Sequence, residues 1–169
     1  MKKFNFLYLL LFISSFLFLS SCDKDEDPKD LRDDIVGTYN YRIKFYETQQ
    51  GFGYLGSEYD AAGTMIATKG TGTIDNEVIQ FKEGGELLFT AVKFKEDNDG
   101  IAFDLVNDTD IVEGQNVTIT GVNKINLNNV DYHGAYFYNS KKVNAAQQVS
   151  YLSDGVPVTI VADIEATKQ

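Results

Sequence analysis

The sequence predicts an all-β fold, an antiparallel meander closed into an up-and-down β-barrel of about eight strands. Three observations predict it. Beyond residue 35 apolar and polar residues alternate with a period of two, no run of helical period occurs there, and about eight to ten strand-sized segments are joined by short turns rich in Gly, Asn and Asp. A meander of this size exposes two edges unless its ends pair, and closure removes both. A two-sheet β-sandwich is the alternative arrangement.

The chain opens on a different kind of segment. Met1-Lys2-Lys3 is a short basic stretch, and Phe4 to Leu19 is apolar except for Asn5, Ser14 and Ser15. Such a run has the make-up of a signal-peptide helix and is short of the roughly 20 residues that span a bilayer. It ends in Leu19-Ser20-Ser21-Cys22, which carries the only cysteine of the chain. These four residues resemble the bacterial lipobox, a Leu, two small residues and a Cys. The resemblance implies that residues 1–21 are a lipoprotein signal peptide removed on maturation, and that Cys22 becomes the first residue. Its thiol would then carry a diacylglycerol and its new amino group a further acyl chain such as palmitate. Two or more chains hold a protein stably on a membrane, at about 0.8 kcal/mol per buried CH₂. With Cys22 lipidated, no thiol remains for a disulfide, a thiolate metal site or a nucleophile.

Residues 22–34 form an acidic tether. Asp23 to Asp34 holds seven acids and three bases, with Leu31 its only apolar side chain, so it is solvated rather than packed. An acidic run directly after the lipidated Cys resembles the export signal of surface lipoproteins in Bacteroidota-type bacteria, and implies an outer-membrane lipoprotein exposed at the cell surface. Asp23 alone resembles instead an enterobacterial retention signal, which leaves a periplasm-facing lipoprotein as the alternative. Asp27-Pro28 has the form of a helix start, and Leu31 and Ile35 four residues apart predict one helical turn before the first strand.

The barrel domain covers residues 35–169. Tyr39, Tyr41, Ile43 and Phe45 alternate with Thr38, Asn40, Arg42 and Lys44, giving a first strand with one apolar face. Gln49-Gln50-Gly51 ends it. A glycine-rich stretch, Phe52 to Tyr59, follows, with Ala61-Ala62-Gly63 as the next break. Thr64 to Ile74 and Glu77 to Phe81 read as strands around a turn at Asp75-Asn76. After Glu83-Gly84-Gly85, Leu87 to Lys95 places Leu88, Thr90, Val92 and Phe94 on one face. Asp97-Asn98-Asp99-Gly100 is the strongest hairpin signal, since Asn and Gly tolerate positive φ. Ile101, Phe103 and Leu105 alternate beyond it. Asn107 to Asp110 reads as a polar loop before Ile111-Val112 and Val117 to Val122. Tyr132, Tyr136 and Tyr138 share a face around Gly134, opposite His133, Ala135 and Phe137. Val149 and Tyr151 lead to a turn at Asp154-Gly155, and Val156 to Ile164 forms the closing strand, with Pro157 near its start where a missing donor is tolerable.

With a helical turn ahead of strand one, Gly37-Thr38-Tyr39 where lipocalins carry Gly-x-Trp, and hairpins running to a C-terminal strand, residues 35 to 167 resemble lipocalin-like domains of small bacterial lipoproteins. Tyr39 stands in place of the Trp, and the closing strand has no Arg to cover it as that family has, Lys168 being a poor substitute. The resemblance implies a calycin-type barrel around a ligand. A barrel that spans a membrane would need an apolar outer face, and Arg42 and Lys44 point outward.

Little in the sequence points to catalysis. His133 is the only histidine and has no second His or free Cys to work with; no Gly-x-Ser-x-Gly elbow, phosphate loop or dinucleotide fingerprint is present. The 97–100 segment fails the calcium-loop pattern at Lys95 and Val106. Asn107, Asp108, Asp110 and Glu113 are acidic enough for a cation but fit a solvated loop. The reading is therefore a non-enzyme with no cofactor and no metal. The net charge of −10, made two units more negative when Lys2 and Lys3 leave with the leader, excludes nucleic acid as a partner. An eight-stranded barrel is wide enough to be filled by its own side chains or to hold one small ligand. Tyr39, Tyr41, Phe45, Phe103, Tyr136 and Tyr138 are the expected lining. The expected function is binding of a small apolar or amphipathic ligand by a lipoprotein whose other partner is the bilayer, held through acylated Cys22. The alternative is a structural or interaction module of an envelope or glycan-uptake assembly, with an envelope protein as partner.

Overall fold

The computed structural model describes residues 29–49, 53–70, 77–112 and 115–169. Cys22, the Asp27-Pro28 helix start and the Asp75-Asn76 turn lie outside them. The compact unit runs from Leu31 to Gln169. Among its described residues are one helical turn, α1 (Arg32–Ile35), and twelve strands: β1 (Gly37–Gln49), β2 (Gly53–Gly70), β3 (Val78–Glu83), β4 (Glu86–Glu96), β5 (Gly100–Leu105), β6 (Asp108–Val112), β7 (Gln115–Gly121), β8 (Ile125–Leu127), β9 (Val130–Tyr132), β10 (Gly134–Phe137), β11 (Lys142–Ser153) and β12 (Val156–Lys168).

The expected barrel is present. Strands β1 to β5 and β10 to β12 pair in sequence, all antiparallel, β1 returns to pair with β12, and β10 pairs with both β5 and β11. Eight strands thus close on themselves. The other four are one insertion between β5 and β10. Within it β6 and β7 form a ribbon that extends the sheet from β11, while β8 and β9 pair only with each other.

The insertion divides β11 between two partners. Residues 142–145 pair with β10, and residues 147–150 pair with β7. At the fork, Ala146 donates its amide to the His133 carbonyl at 3.0 Å, and its own carbonyl accepts the Val122 amide at 2.9 Å. The His133 ring supplies what a continuing β10 would have given β5: its Nδ1 accepts the Leu105 amide at 3.0 Å. The sole histidine is therefore built into the sheet, as a side chain replacing a strand partner.

Three local expectations are corrected. First, Ala61-Ala62-Gly63 does not interrupt a strand. β2 runs unbroken through it, with Gly63 opposite Tyr41. Second, β4 carries two irregularities that shift its inward face. Leu88 is an extra residue opposite the Phe81–Lys82 step, and Lys93, at φ 55°, is part of a bulge against β5. A one-residue insertion turns every later side chain to the other face. Phe89 and Ala91 accordingly point inward, and Phe94 rejoins the core only after the Lys93 bulge. Third, Asp108 to Asp110 is not loop but strand, because β6 and β7 form a hairpin.

Two turns show how similar signals are used differently. Asp154 and Gly155 both have positive φ, 51° and 79°, as a two-residue type I′ hairpin requires. At Asp97-Asn98-Asp99-Gly100 the turn forms without positive φ. Asp97 Oδ1 accepts the amides of Asp99 and Gly100 at 2.9 and 3.0 Å. Glycine is needed at position 100 for another reason, since a Cβ there would collide with the Tyr136 carbonyl across the strand pair.

The inward residues make one apolar cluster, in which Tyr39, Met65, Ile79, Phe81, Ile101, Phe103 and Val143 are fully buried. Burying each such side chain contributes about 1.5–3 kcal/mol. The outward positions of β1 and β12 carry charge instead, with Arg42 paired to Asp60, Lys124 to Asp163 and Lys142 to Glu165. That surface is unlike the apolar belt of a spanning barrel. Among the described residues no helix is long and apolar enough to cross a membrane.

Candidate functional site

The two ends of the barrel differ. At one end lie α1, the β4–β5 and β10–β11 turns and the C-terminus; at the other lie the β1–β2, β3–β4 and β11–β12 connections.

The first end is plugged. Ile35 of α1 is fully buried in the core, and the Tyr39 hydroxyl donates to its carbonyl. Burial, with Tyr136 nearby, raises the Tyr39 pKa far above the usual phenol value, so this donor stays protonated. Lys168 then fastens the C-terminus over the plug. Its backbone amide donates to the Lys141 carbonyl at 2.9 Å, its Nζ donates to the Asp34 carbonyl at 2.8 Å, and the ammonium lies 5.8 Å from the centre of the Tyr136 ring. A cation at that distance from an aromatic face is attracted by it. Gln169 adds a bond from its amide to the Thr38 carbonyl at 2.9 Å. Behind the plug a chain of rings crosses the interior, with centroid separations of 6.2 Å for Tyr39–Phe81, 4.4 Å for Phe81–Phe89, 6.5 Å for Phe81–Phe103 and 6.3 Å for Phe94–Phe103. These contacts fill that half of the barrel.

Along β1 the filling thins toward the other end, while on β12 Ala162 and Val158 stay buried. Along the inward face of β1, exposure rises from 0% at Tyr39 to 7% at Tyr41 and 9% at Ile43, and Phe45 is only partly buried. Small residues stand beside them: Ala61 and Gly63 on β2 face Ile43 and Tyr41, and Ala162 on β12 faces Phe45. The strands on this side, β1, β2, β11 and β12, have 12 to 18 residues, whereas β3, β5 and β10 have 4 to 6. The wall is therefore higher on one side of the mouth.

Among the described residues, Glu83 is a charged group that points into it. Strand β3 alternates Ile79, Phe81 and Glu83 inward, so the last inward position before the turn is a carboxylate. Glu83 Oε2 accepts the Tyr41 hydroxyl at 2.7 Å, and Oε1 occupies the space a side chain at Gly63 would need. The bond to Glu83, together with burial, pushes the Tyr41 pKa up to about 12. Glycine at 63, which reads in the sequence as a strand break, is thus the vacancy that admits an inward carboxylate.

All six residues expected to line the interior do face it. Tyr39, Tyr41, Phe103 and Tyr136 belong to the buried cluster, and Phe45 and Tyr138 pack against it. The structure separates them by role. Tyr39, Phe103 and Tyr136 belong to the filled half, Tyr138 stands edge-on to Tyr136 at 6.0 Å and donates to Glu96, and Tyr41 and Phe45 reach the mouth. Glu83 was not among the expected residues. Extending the period of two from Ile79 and Phe81 by one step identifies it. Cys22, the expected lipidation site, lies outside the described residues.

Among the described residues no three His, Cys, Asp or Glu side chains are placed to hold a metal ion. In the Asn107–Glu113 segment, the carboxylates of Asp108 and Asp110 accept the amides of Thr109 and Ile111 at 2.8 and 2.7 Å. No protein-family model, curated protein or solved structure matches this chain.

Proposed function

We propose that this chain is a lipid-anchored, non-enzymatic lipoprotein of the outer membrane whose lipocalin-like barrel binds a small amphipathic ligand at its mouth. The observation that carries the reading is the change in the interior from a solid ring stack around Phe81 to a lining of Ile43, Phe45, Ala61, Gly63 and Ala162 at the tall side of the wall. A filled half supplies rigidity, and an apolar half-open end beside it supplies a place for a short apolar chain.

The tether would limit how far the domain stands from the membrane. Eight residues, Asp23 to Asp30, separate Cys22 from Leu31, a span of at most roughly 30 Å when fully extended. Native mass spectrometry of the protein extracted from its own membrane tests the binding function. A retained small molecule, lost on Phe45→Glu, is expected, and a ligand-free mass would refute the reading. Cys22→Ala should release the protein into the soluble fraction, and continued membrane association would refute lipidation. Protease added to intact cells should remove the domain; protection until lysis would favour the periplasm-facing alternative.

The interaction-module reading has one observation of its own, a polar cleft on the outer face of β1, β12 and β11. Arg42, Glu165 and Asn144 form one cross-strand row there, with Lys44 and Asp163 in the next, and Lys124 reaches across from the β7–β8 connection. Mixed donors and acceptors of this kind suit the polar rim of a protein interface.

A further inference from the structure

We infer that the ligand of the barrel mouth carries a protonated amine, whose counter-ion is the inward carboxylate of Glu83. The inference rests on the mouth-binding reading above and names the chemistry of the ligand's head. Its basis is an imbalance inside the barrel. Ion pairs hold the outward Arg42, Lys142, Asp163 and Glu165 of β1, β11 and β12, but the carboxylate of Glu83 is turned to the inner face, where the one bond it accepts is from the neutral Tyr41 hydroxyl. No basic side chain pairs with it among the described residues. A partly buried carboxylate without a cation is costly, and a charge-assisted hydrogen bond from an ammonium group offsets that cost.

The surroundings suit such a head on an apolar body. Glu83 Oε1 lies over Gly63, and nearby Ala61, Ile43, Phe45 and Ala162 present hydrocarbon, with Gln147 the β11 partner of Ala162. An alkyl chain of a few carbons lying over the partly buried Phe45 and Ala61 would bring a terminal ammonium to the carboxylate at the rim of β3. The molecule as a whole, at a net charge of −10, concentrates cations around itself and repels anions. A carboxylate or phosphate head would meet Glu83 with like charge, and a neutral alcohol would gain only an ordinary hydrogen bond.

The test uses three probes of one chain length, n-octylammonium, n-octanol and n-octanoate, titrated into the ¹⁵N-labelled domain while the amide signals of Ala61, Gly63, Gly84 and Ala162 are followed. Octylammonium is expected to bind at least about tenfold more tightly than octanol, with octanoate weakest. In Glu83→Gln that preference should disappear while octanol binding persists. Tyr41→Phe, which keeps the carboxylate and removes its only internal donor, should retain the preference and shows that a loss in Glu83→Gln is not a loss of fold. Equal binding of octylammonium and octanol would overturn the amine head and leave the mouth reading standing. An octylammonium preference that survives Glu83→Gln would overturn it too, by assigning the effect to general surface charge. Absence of shifts with all three probes would refute the mouth reading and this inference together.

Discussion

At Gly63 and His133 the consequence of a single side chain can be worked out directly. A methyl group at 63 would enter the space of Glu83 Oε1, so Gly63→Ala must expel the carboxylate from the mouth. Such a change costs mouth chemistry more than core packing. His133 has the opposite character, because its Nδ1 is the acceptor for the Leu105 amide at the point where β5 has no strand to pair with. Replacing it by Phe keeps a ring of similar size and leaves that amide without a partner. The expected loss is about 1–3 kcal/mol, read as a lower midpoint in urea with an unchanged slope. His133→Asn, which restores an acceptor, should recover part of it. A role in ligand binding would instead show as altered affinity with stability intact.

Among the elements, β6 is the one whose sequence misleads and whose structure explains why. Asp108-Thr109-Asp110 reads as loop because acids are poor strand formers, yet β6 is the free edge of the ten-stranded sheet. An edge strand offers its unpaired amides to any other strand. Here the side chains of Asp108 and Asp110 accept the amides of Thr109 and Ile111, beside the 68% exposed Ile111. The acids therefore mark an edge closed to pairing. Replacing both by Ala should open it, and light scattering is expected to show dimers or larger species at concentrations where the parent chain is monomeric. A double variant that remains monomeric would show that Ile111 and the ribbon twist, and not the carboxylates, keep the edge apart. β4 teaches a related lesson. Its apolar residues were legible, but the inward face was not, since bulges at Leu88 and Lys93 are set by the partner strands β3 and β5.

For the molecule as a whole, the phenols predict an alkaline limit. Tyr39 and Tyr136 are raised chiefly by burial, and Tyr41 is raised to about 12 chiefly by its bond to Glu83. A folded value above the usual phenol pKa of about 10 contributes stability fully below pH 10, and that contribution is lost as pH rises through the folded values. Stability should thus be level with respect to these groups up to about pH 10 and fall beyond it by about 1.4 kcal/mol per pH unit for each phenol that must ionise. Thermal melts followed across pH 9 to about 12 check this, with Tyr41→Phe expected to remove its share of the slope. The sequence by itself determined an antiparallel all-β meander and favoured closure, because a period of two and regularly spaced turns leave a barrel or a two-sheet sandwich as the ways to bury one face of so many strands, and the β1–β12 pairing closes it. It also singled out Tyr39, Tyr41, Phe45, Phe103, Tyr136 and Tyr138, which belong to or pack against the buried cluster. Only the tertiary structure decided which half of that interior is filled, that β6 to β9 stand outside the closed barrel, and that Glu83 turns inward onto Gly63. Those outcomes depend on pairings between residues distant in sequence, such as Gly63 with Tyr41 and Glu83 with Tyr41, the latter 42 positions apart, and local pattern carries no record of which distant side chain fills a given space.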